Sequence, residues 1–382
     1  MVRIHPRQAL FDAAEAAPAL PVCDHYAGVE SRMRKSLALQ AELGPVFDIT
    51  LDCEDGARVG GEAEHAYLVA EMVDSAQNLH GRVGSRLHPV RHAAFALVAE
   101  TLVRRCGHRL AYLMLPKVHG LADVQRGCDE IDRLSLTSGL GRRRAAPSRP
   151  IPLGGATPEA SWGADRQIPL HVLIETHGAL AEVAAIAAHP RVESLSFGLM
   201  DFVAAHRGAI PQSAMGASGQ FEHPLVVRAK LEIAAACHAH GKTPSHCVVT
   251  EFKQLDMLEA AAERAARSFG YTRMWSIHPD QILPIVEAFA PSAAEVDQAI
   301  EILFAAQAAQ WAPISHPAGL TATLHDRASY RYFWHVLELA HRTGQPLPAE
   351  ARLAFFDLPE PGGGSGHGIR QPQIVAIDKN SH

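Results

Sequence analysis

Short apolar runs alternate with longer amphipathic stretches over most of the chain. Eight of these runs have the length and composition of buried strands, and they cover residues 20–23, 47–52, 83–88, 111–117, 169–175, 194–199, 246–249 and 274–278. Stretches with helical periodicity lie between them, at residues 31–43, 62–76, 89–105, 121–134, 179–188, 226–240 and 252–269. Regular alternation of strand and helix predicts a parallel sheet, and eight units favour a closed (β/α)8 TIM barrel over an open sheet.

Polar side chains stand at the carboxyl end of most of these runs, where such a barrel places its chemistry. Glu175 ends the fifth run, and Asp201 follows the sixth about one βα unit later. Neighbouring parallel strands would bring both carboxylates to the same edge of the sheet. A hard divalent cation such as Mg²⁺ is commonly held by one or two carboxylates, with water and substrate completing its shell. The pair therefore predicts a magnesium site at a reaction centre.

The composition of the chain changes along its length, and this predicts its domain organisation. Residues 1–291 are expected to form the barrel domain, with a flexible surface insertion at residues 139–163, which are rich in Pro, Gly, Ser and Ala. Strong helical patterns at residues 293–310 and 327–342 predict a C-terminal helical extension or lid over residues 292–358. Residues 359–382 begin with a Gly-rich segment and are expected to be disordered.

Overall composition favours an enzyme with a large core over a nucleic-acid or membrane protein. The 382 residues are 47% hydrophobic and 20% charged, and the net charge of -6 argues against a nucleic-acid partner. Neither a run of about eighteen apolar residues nor a secretory signal is evident, so the cytoplasm is the expected location. The six cysteines lack CxxC spacing, which fits reduced thiols better than disulfides or a zinc site.

Six motifs occur in the order in which one known family carries them. They are Leu51-Asp-Cys-Glu-Asp-Gly-Ala57, Ser85-Arg-Leu-His88, Leu115-Pro-Lys117, Ile174-Glu-Thr-His-Gly-Ala179, Phe197-Gly-Leu-Met-Asp201 and Ser276-Ile-His-Pro-Asp-Gln-Ile282. Together they resemble the citrate lyase β-subunit and malyl-CoA lyase group of the HpcH/HpaI aldolase superfamily. The resemblance spans residues 31–291, more than half of the chain.

The resemblance implies a fold, an activity and a cofactor. It implies a (β/α)8 barrel in a homo-oligomer, a trimer or hexamer, with Mg²⁺ held by Glu175 and Asp201. It also implies cleavage or formation of a carbon–carbon bond next to a carbonyl, with Glu175 near the substrate. Breaking such a bond leaves an enolate, whose negative charge a metal and an adjacent cation can stabilise. In some relatives an acidic residue from the neighbouring subunit closes the site, and Asp326 is the candidate here.

Five further residues of the matched motifs are candidates for the chemistry. Arg86 is the candidate cation, because its planar fork can bind a substrate carboxylate through two parallel hydrogen bonds; alternatively, it is an ion-pair partner of Asp52 or Glu54. Asp52 and Glu54, with Asp55, are expected to orient metal-bound water or to anchor Arg86 and Lys117. Lys117 would be a base only if desolvation lowered its pKa, and a protonated, structural role is favoured among these acids.

The first strand departs from the family pattern. Where relatives usually carry an Arg-Ser pair and a Phe-Val-Pro segment associated with acyl-CoA, this chain reads Leu20-Pro-Val-Cys-Asp-His-Tyr-Ala27. The leading hypothesis is a Mg²⁺-dependent carbon–carbon lyase that acts between a 2-oxo acid and an acyl-CoA enolate. One alternative is a CoA-independent aldolase acting on a free hydroxy-oxo acid. Another is a non-catalytic barrel paralogue that serves as a binding or assembly subunit.

Overall fold

Eight parallel strands close into a barrel in the computed structural model, which describes residues 4–12, 20–57, 59–137, 167–318 and 321–357. Each strand pairs with the next one along the chain, and β1 pairs with β8. The strands are β1 (Cys23–Ala27), β2 (Phe47–Asp52), β3 (Val83–Arg86), β4 (Leu113–Leu115), β5 (Leu170–Ile174), β6 (Val192–Phe197), β7 (Thr243–His246) and β8 (Arg273–Ser276). The predicted (β/α)8 barrel is confirmed. The expected insertion at 139–163 and the expected tail from 359 lie outside the described residues.

At least one helix follows each barrel strand, and further helices precede and follow the barrel. They are α1 (Pro6–Leu10), α2 (Glu30–Leu43), α3 (Glu62–Asp74), α4 (Phe95–Cys106), α5 (Leu121–Thr137), α6 (His177–Ala181), α7 (Val183–Ala188), α8 (Leu199–Ala205), α9 (Pro224–Ala239), α10 (Leu255–Ser268), α11 (Ile282–Phe289), α12 (Ala293–Ala308), α13 (Arg327–Arg342) and α14 (Ala349–Phe355). Short 3-10 turns lie at Gln212–Met215, Gly219–Phe221 and Pro279–Gln281. Among the described helices, none combines the length and apolarity that crossing a bilayer requires.

Strand register decides which side chains fill the barrel. Asp24 is in register with both Asp48 and Trp275, so these three side chains point to the same, inner side. Arg273 is fully buried there and pairs with Asp48 at 2.6 Å and with Asp24 at 3.0 Å. Burial alone would raise the pKa of Asp48, but Arg82 and Arg273 outweigh it and lower that pKa. Paired charges therefore occupy part of the barrel interior, as buried charges require.

The seventh strand lies earlier in the chain than the sequence predicts. The apolar run at residues 246–249 predicts it, but the strand is Thr243–His246, because Ser194 pairs with Thr243 and Ser245 pairs with Arg273. Small polar residues suit this strand, since its inner side faces the polar barrel interior. The apolar residues that follow it form the loop into α10.

The described chain forms two compact units. One comprises residues 20–137 and 167–289, which include the barrel; the other comprises residues 4–12 and 290–357. The second unit contains α1, α12, α13, α14 and an antiparallel hairpin of β9 (Ile314–Ala318) and β10 (Thr321–His325), which the sequence did not predict. Its own core is built from apolar faces of α12, α13 and α14, around the buried Trp334 and Tyr330.

Candidate active site

Glu175 and Asp201 stand at the carboxyl ends of neighbouring strands. Glu175 follows β5 directly, and Asp201 lies in the first turn of α8, just after β6. Glu175 is 2% exposed, whereas the Asp201 side chain is 41% exposed. Burial, and next the negative charge of Asp201, raise the pKa of Glu175 to about 8. The two carboxylates that the sequence pairs are thus electrostatic neighbours, one buried and one open to solvent.

Backbone groups hold Glu175 in place. Its Oε1 accepts a hydrogen bond of 2.6 Å from the backbone N–H of Lys117, at the end of β4. Thr176 caps α6 by accepting from the N–H of Ala179 and donates to the carbonyl of Val118 at 2.7 Å, which joins the loops after β4 and β5. Gly198 makes room for the carboxylate, because a Cβ there would lie 2.2 Å from Glu175 Oε2. The local sequence therefore fixes this carboxylate in one position.

Lys117 connects four carboxylates through its backbone and its side chain. Its Nζ lies 2.6 Å from Glu54, 2.8 Å from Asp55 and 3.8 Å from Asp201, in addition to the backbone bond to Glu175. Burial alone would lower the pKa of the amine, but hydrogen bonds to Asp55 and Glu54 raise it. Its backbone has φ +48°, a conformation that non-glycine residues seldom adopt outside functional sites and turns. Lys117 is therefore a protonated cation at the centre of an acidic cluster.

Arg86 is held by acids on the opposite side of this cluster. Its Nε and Nη2 donate to the two carboxylate oxygens of Asp52 at 2.7 and 2.5 Å, and its Nη1 lies 3.2 Å from Glu54. Asp52 also accepts from the backbone N–H groups of Glu54 and Gly56 at 2.9 and 2.7 Å. Burial disfavours the charged guanidinium, but Asp52 outweighs it and raises the pKa of Arg86. The ion pair that the sequence offered as an alternative for Arg86 is thus formed.

An apolar floor lies beneath these charges. Tyr26 and Trp275 stack with ring centroids 4.4 Å apart, and both pack with Met114 and Leu173. The Arg86 guanidinium lies 5.5 Å from the centre of the Tyr26 ring. None of the six motifs contains a residue of this floor. The alternation of inward and outward residues in the first and eighth strands predicts this floor, but only when the register of the two strands is known.

The charge balance of the cluster fits a divalent cation. Five carboxylates and two cations meet here: Asp52, Glu54, Asp55, Glu175, Asp201, Arg86 and Lys117. Fully ionised, they leave an excess of three negative charges. In the described part of the chain no three His, Cys, Asp or Glu residues form a ready metal cage. Mg²⁺ does not require one, because it usually keeps several waters and binds one or two carboxylates.

Asp326 lies in the other compact unit and has a structural contact of its own. It is the N-cap of α13, where its Oδ1 accepts from the backbone N–H groups of Ala328 and Ser329 at 3.0 and 3.3 Å. Within its own chain it therefore stabilises a helix. The catalytic role that the resemblance implies for it stays a prediction.

Comparison with known proteins decides the family. A model described as HpcH/HpaI aldolase/citrate lyase matches residues 48–279, which contain five of the six motifs and the first four residues of the sixth. The chain belongs to this family. The resemblance stated from the motifs is therefore confirmed, and the acidic cluster described above lies within the matched residues.

Several known proteins are similar to this chain over most of their own length. The crystal structure of a citrate lyase from Burkholderia xenovorans LB400 is 49% identical, with a TM-score of 0.74, over 92% of this chain and 100% of that one. The L-malyl-CoA/beta-methylmalyl-CoA lyase of Cereibacter sphaeroides is 26% identical over 313 residues, 78% of this chain and 89% of that protein. CitE of Mycobacterium tuberculosis, in complex with magnesium, acetoacetate and coenzyme A, shares the fold at 18% identity and a TM-score of 0.58. The match covers 84% of this chain and 98% of that one.

Proposed function

We propose that this protein is a Mg²⁺-dependent carbon–carbon lyase that cleaves or forms a bond between a 2-oxo acid and an acyl-CoA enolate. The observation that carries the proposal is the pair Glu175 and Asp201 at adjacent strand ends, beside the cations Lys117 and Arg86. The names of the relatives support it, since L-malyl-CoA lyase and citramalyl-CoA lyase act on CoA thioesters. The magnesium-bound CitE structure supports the cofactor.

Glu175 and Asp201 are the residues that would hold the metal. The excess negative charge that the cluster carries when its carboxylates are ionised fits a small divalent cation. When bound, Mg²⁺ supplies a Lewis acid for the oxygen on which negative charge develops. The backbone N–H of Lys117 keeps Glu175 in position, so little reorganisation is needed when the charge develops.

The two cations have different tasks. Lys117 holds Glu54 and Asp55 and stays protonated, so it orders the acidic cluster and does not act as a base. Arg86 uses Nε and Nη2 for Asp52, and its Nη1 edge is the one that would meet a substrate carboxylate, in competition with Glu54. Asp52 thereby orients the guanidinium for substrate, in the way that a supporting carboxylate commonly orients a functional group.

A CoA-independent aldolase is the second candidate. The observation that favours it is the first strand, which lacks the basic and apolar residues associated with acyl-CoA in relatives. Its Asp24 is fully buried and bound to Arg273 and Thr50, so this strand offers no cation there for a CoA phosphate. A free hydroxy-oxo acid needs only the metal and Arg86.

Calorimetry with stepwise addition of ligands tests both candidates. Metal-free protein is titrated with Mg²⁺, then with pyruvate or glyoxylate, then with acetyl-CoA or propionyl-CoA. We expect the oxo acid to bind only with Mg²⁺, and Glu175→Gln to abolish both steps. Glu100→Gln, at an exposed ion pair with Arg104 on α4, is the control and should bind both ligands normally.

The titration is combined with an assay of turnover, and each result has a definite meaning. Binding of the thioester after the oxo acid supports the lyase. Binding of oxo acid without thioester favours the CoA-independent aldolase. Metal binding without turnover of any hydroxy-acyl-CoA or hydroxy-oxo acid favours the non-catalytic barrel. A trimeric or hexameric assembly and a cytoplasmic location stay predictions.

A further inference from the structure

Two exposed aromatic rings stack at the carboxyl side of the barrel, outside the acidic cluster. Phe252 lies in the loop after β7 and His278 in the loop after β8, with ring centroids 5.2 Å apart and an interplanar angle of 24°. Phe252 is 41% exposed, and the His278 side chain is 37% exposed. Ile277, also 37% exposed, adjoins them. Packing has not buried these rings, so part of the stacked pair is accessible to a planar ligand.

Hydrogen bonds hold the two loops together. Gln281 donates to the carbonyl of Val249 at 2.8 Å and accepts from the backbone N–H of Ile277 at 2.9 Å. His278 caps the turn at Pro279–Gln281 and accepts from the N–H of Asp280 at 3.2 Å. The ring pair is therefore positioned before any ligand arrives, which lowers the entropic cost of binding.

A cation completes the platform. Lys253 is exposed, its Nζ lies 5.8 Å from the centre of the Phe252 ring, and it has no ion-pair partner within the described residues. Of the two nearby acids, Glu251 accepts from the backbone N–H of Ala217 at 3.1 Å, whereas the Asp280 carboxylate beside His278 is exposed to solvent. An open aromatic face beside an unpaired amine suits a heteroaromatic base that carries phosphate.

We infer that Phe252, His278 and Lys253 bind the adenine nucleotide end of a CoA thioester. The inference rests on the proposed function and names where the thioester is recognised in a chain whose first strand lacks the usual segment. The base stacks on the Phe252–His278 pair, and the Lys253 amine faces its phosphates. The platform lies on the same side of the barrel as Glu175 and Asp201, because β7 and β8 are parallel to β5 and β6.

The test compares whole CoA with its two parts. Adenosine 3′,5′-bisphosphate, acetyl-CoA and an acetyl-pantetheine thioester are each titrated into the Mg²⁺-loaded protein with the oxo acid present. The variants are Phe252→Leu, His278→Asn and Lys253→Gln. Asn retains an acceptor for the turn at Asp280 but has no ring. Leu136→Ala, an exposed apolar residue on α5, is the control.

Loss of stacking should weaken nucleotide binding about five- to a hundredfold. We expect Phe252→Leu and His278→Asn to weaken the bisphosphate and acetyl-CoA equally and to leave acetyl-pantetheine unchanged. Lys253→Gln should weaken both nucleotides and reduce the salt dependence of their binding. If Phe252→Leu and His278→Asn fold and bind acetyl-CoA with wild-type affinity, the inference is wrong, whereas the proposed lyase function is not affected. Binding of acetyl-pantetheine without any binding of the bisphosphate would also overturn it. Failure of both thioesters to bind would refute the CoA part of the proposed function as well.

Discussion

Replacing Gly198 by alanine tests whether the position of Glu175 controls metal binding. A Cβ at Gly198 would lie 2.2 Å from Glu175 Oε2, 2.6 Å from its Cβ and 3.0 Å from its Cδ. Real Cβ atoms essentially never approach closer than 3.0 Å, so Oε2 must move by at least about 0.8 Å, the difference between these two distances. Because the Cβ of Glu175 is also crowded, rotation of the carboxylate alone does not relieve the clash. The backbone of Gly198 has φ -91°, so the substitution acts through the contact and not through backbone strain.

Displacement by about 1 Å can reduce turnover about a hundredfold. We therefore expect Gly198→Ala to lower Mg²⁺ affinity and lyase activity by at least tenfold, while overpacking costs about 1–3 kcal/mol of stability. Calorimetric Mg²⁺ titration and thermal unfolding measure the two effects separately. Gly216→Ala is the matched control, because its Cβ would meet only Glu251 Oε1, at 3.0 Å, and Ser213 O, at 3.6 Å. A folded Gly198→Ala protein with wild-type Mg²⁺ affinity and activity would refute the reasoning.

Two further predictions concern Asp326 and Lys230. Asp326→Asn should keep the N-cap of α13, whereas Asp326→Ala should lose about 1 kcal/mol of stability. If Asp326→Asn is stable but loses lyase activity, the Asp326 carboxylate has a catalytic role. If it keeps full activity, the role of Asp326 is to cap the helix. Burial lowers the pKa of Lys230 from 10.5 in the unfolded chain to about 8 in the folded protein. At a pH between these two values, the unfolded chain therefore binds more protons than the folded protein. Stability should rise across that pH window by up to about 3 kcal/mol, and Lys230→Met should remove the rise. If urea unfolding showed the same dependence of stability on pH in the wild type and in Lys230→Met, this prediction would be wrong.

The barrel could be predicted because its strands and helices carry local signals. Helix α13 has the bounds that the periodicity predicts, residues 327–342, and β2 has those of its apolar run, residues 47–52. The seventh strand was misplaced, because Thr243–His246 is polar and its pairing with β6 and β8 outweighs its composition. The hairpin of β9 and β10 was missed for a related reason, since short strands depend on their partner more than on their own residues.

Local patterns were enough to predict the order of the elements, the family motifs and the pairing of Glu175 with Asp201, because apolar runs and strand-end carboxylates are local features of a parallel fold. The folded barrel was needed to choose between the alternatives for Arg86, and to reveal the burial of Glu175 and the stacking of Phe252 on His278. These depend on register and on loops that are distant in sequence. Closing the barrel brings β1 against β8, and no local pattern encodes which charges then lie within reach of one another.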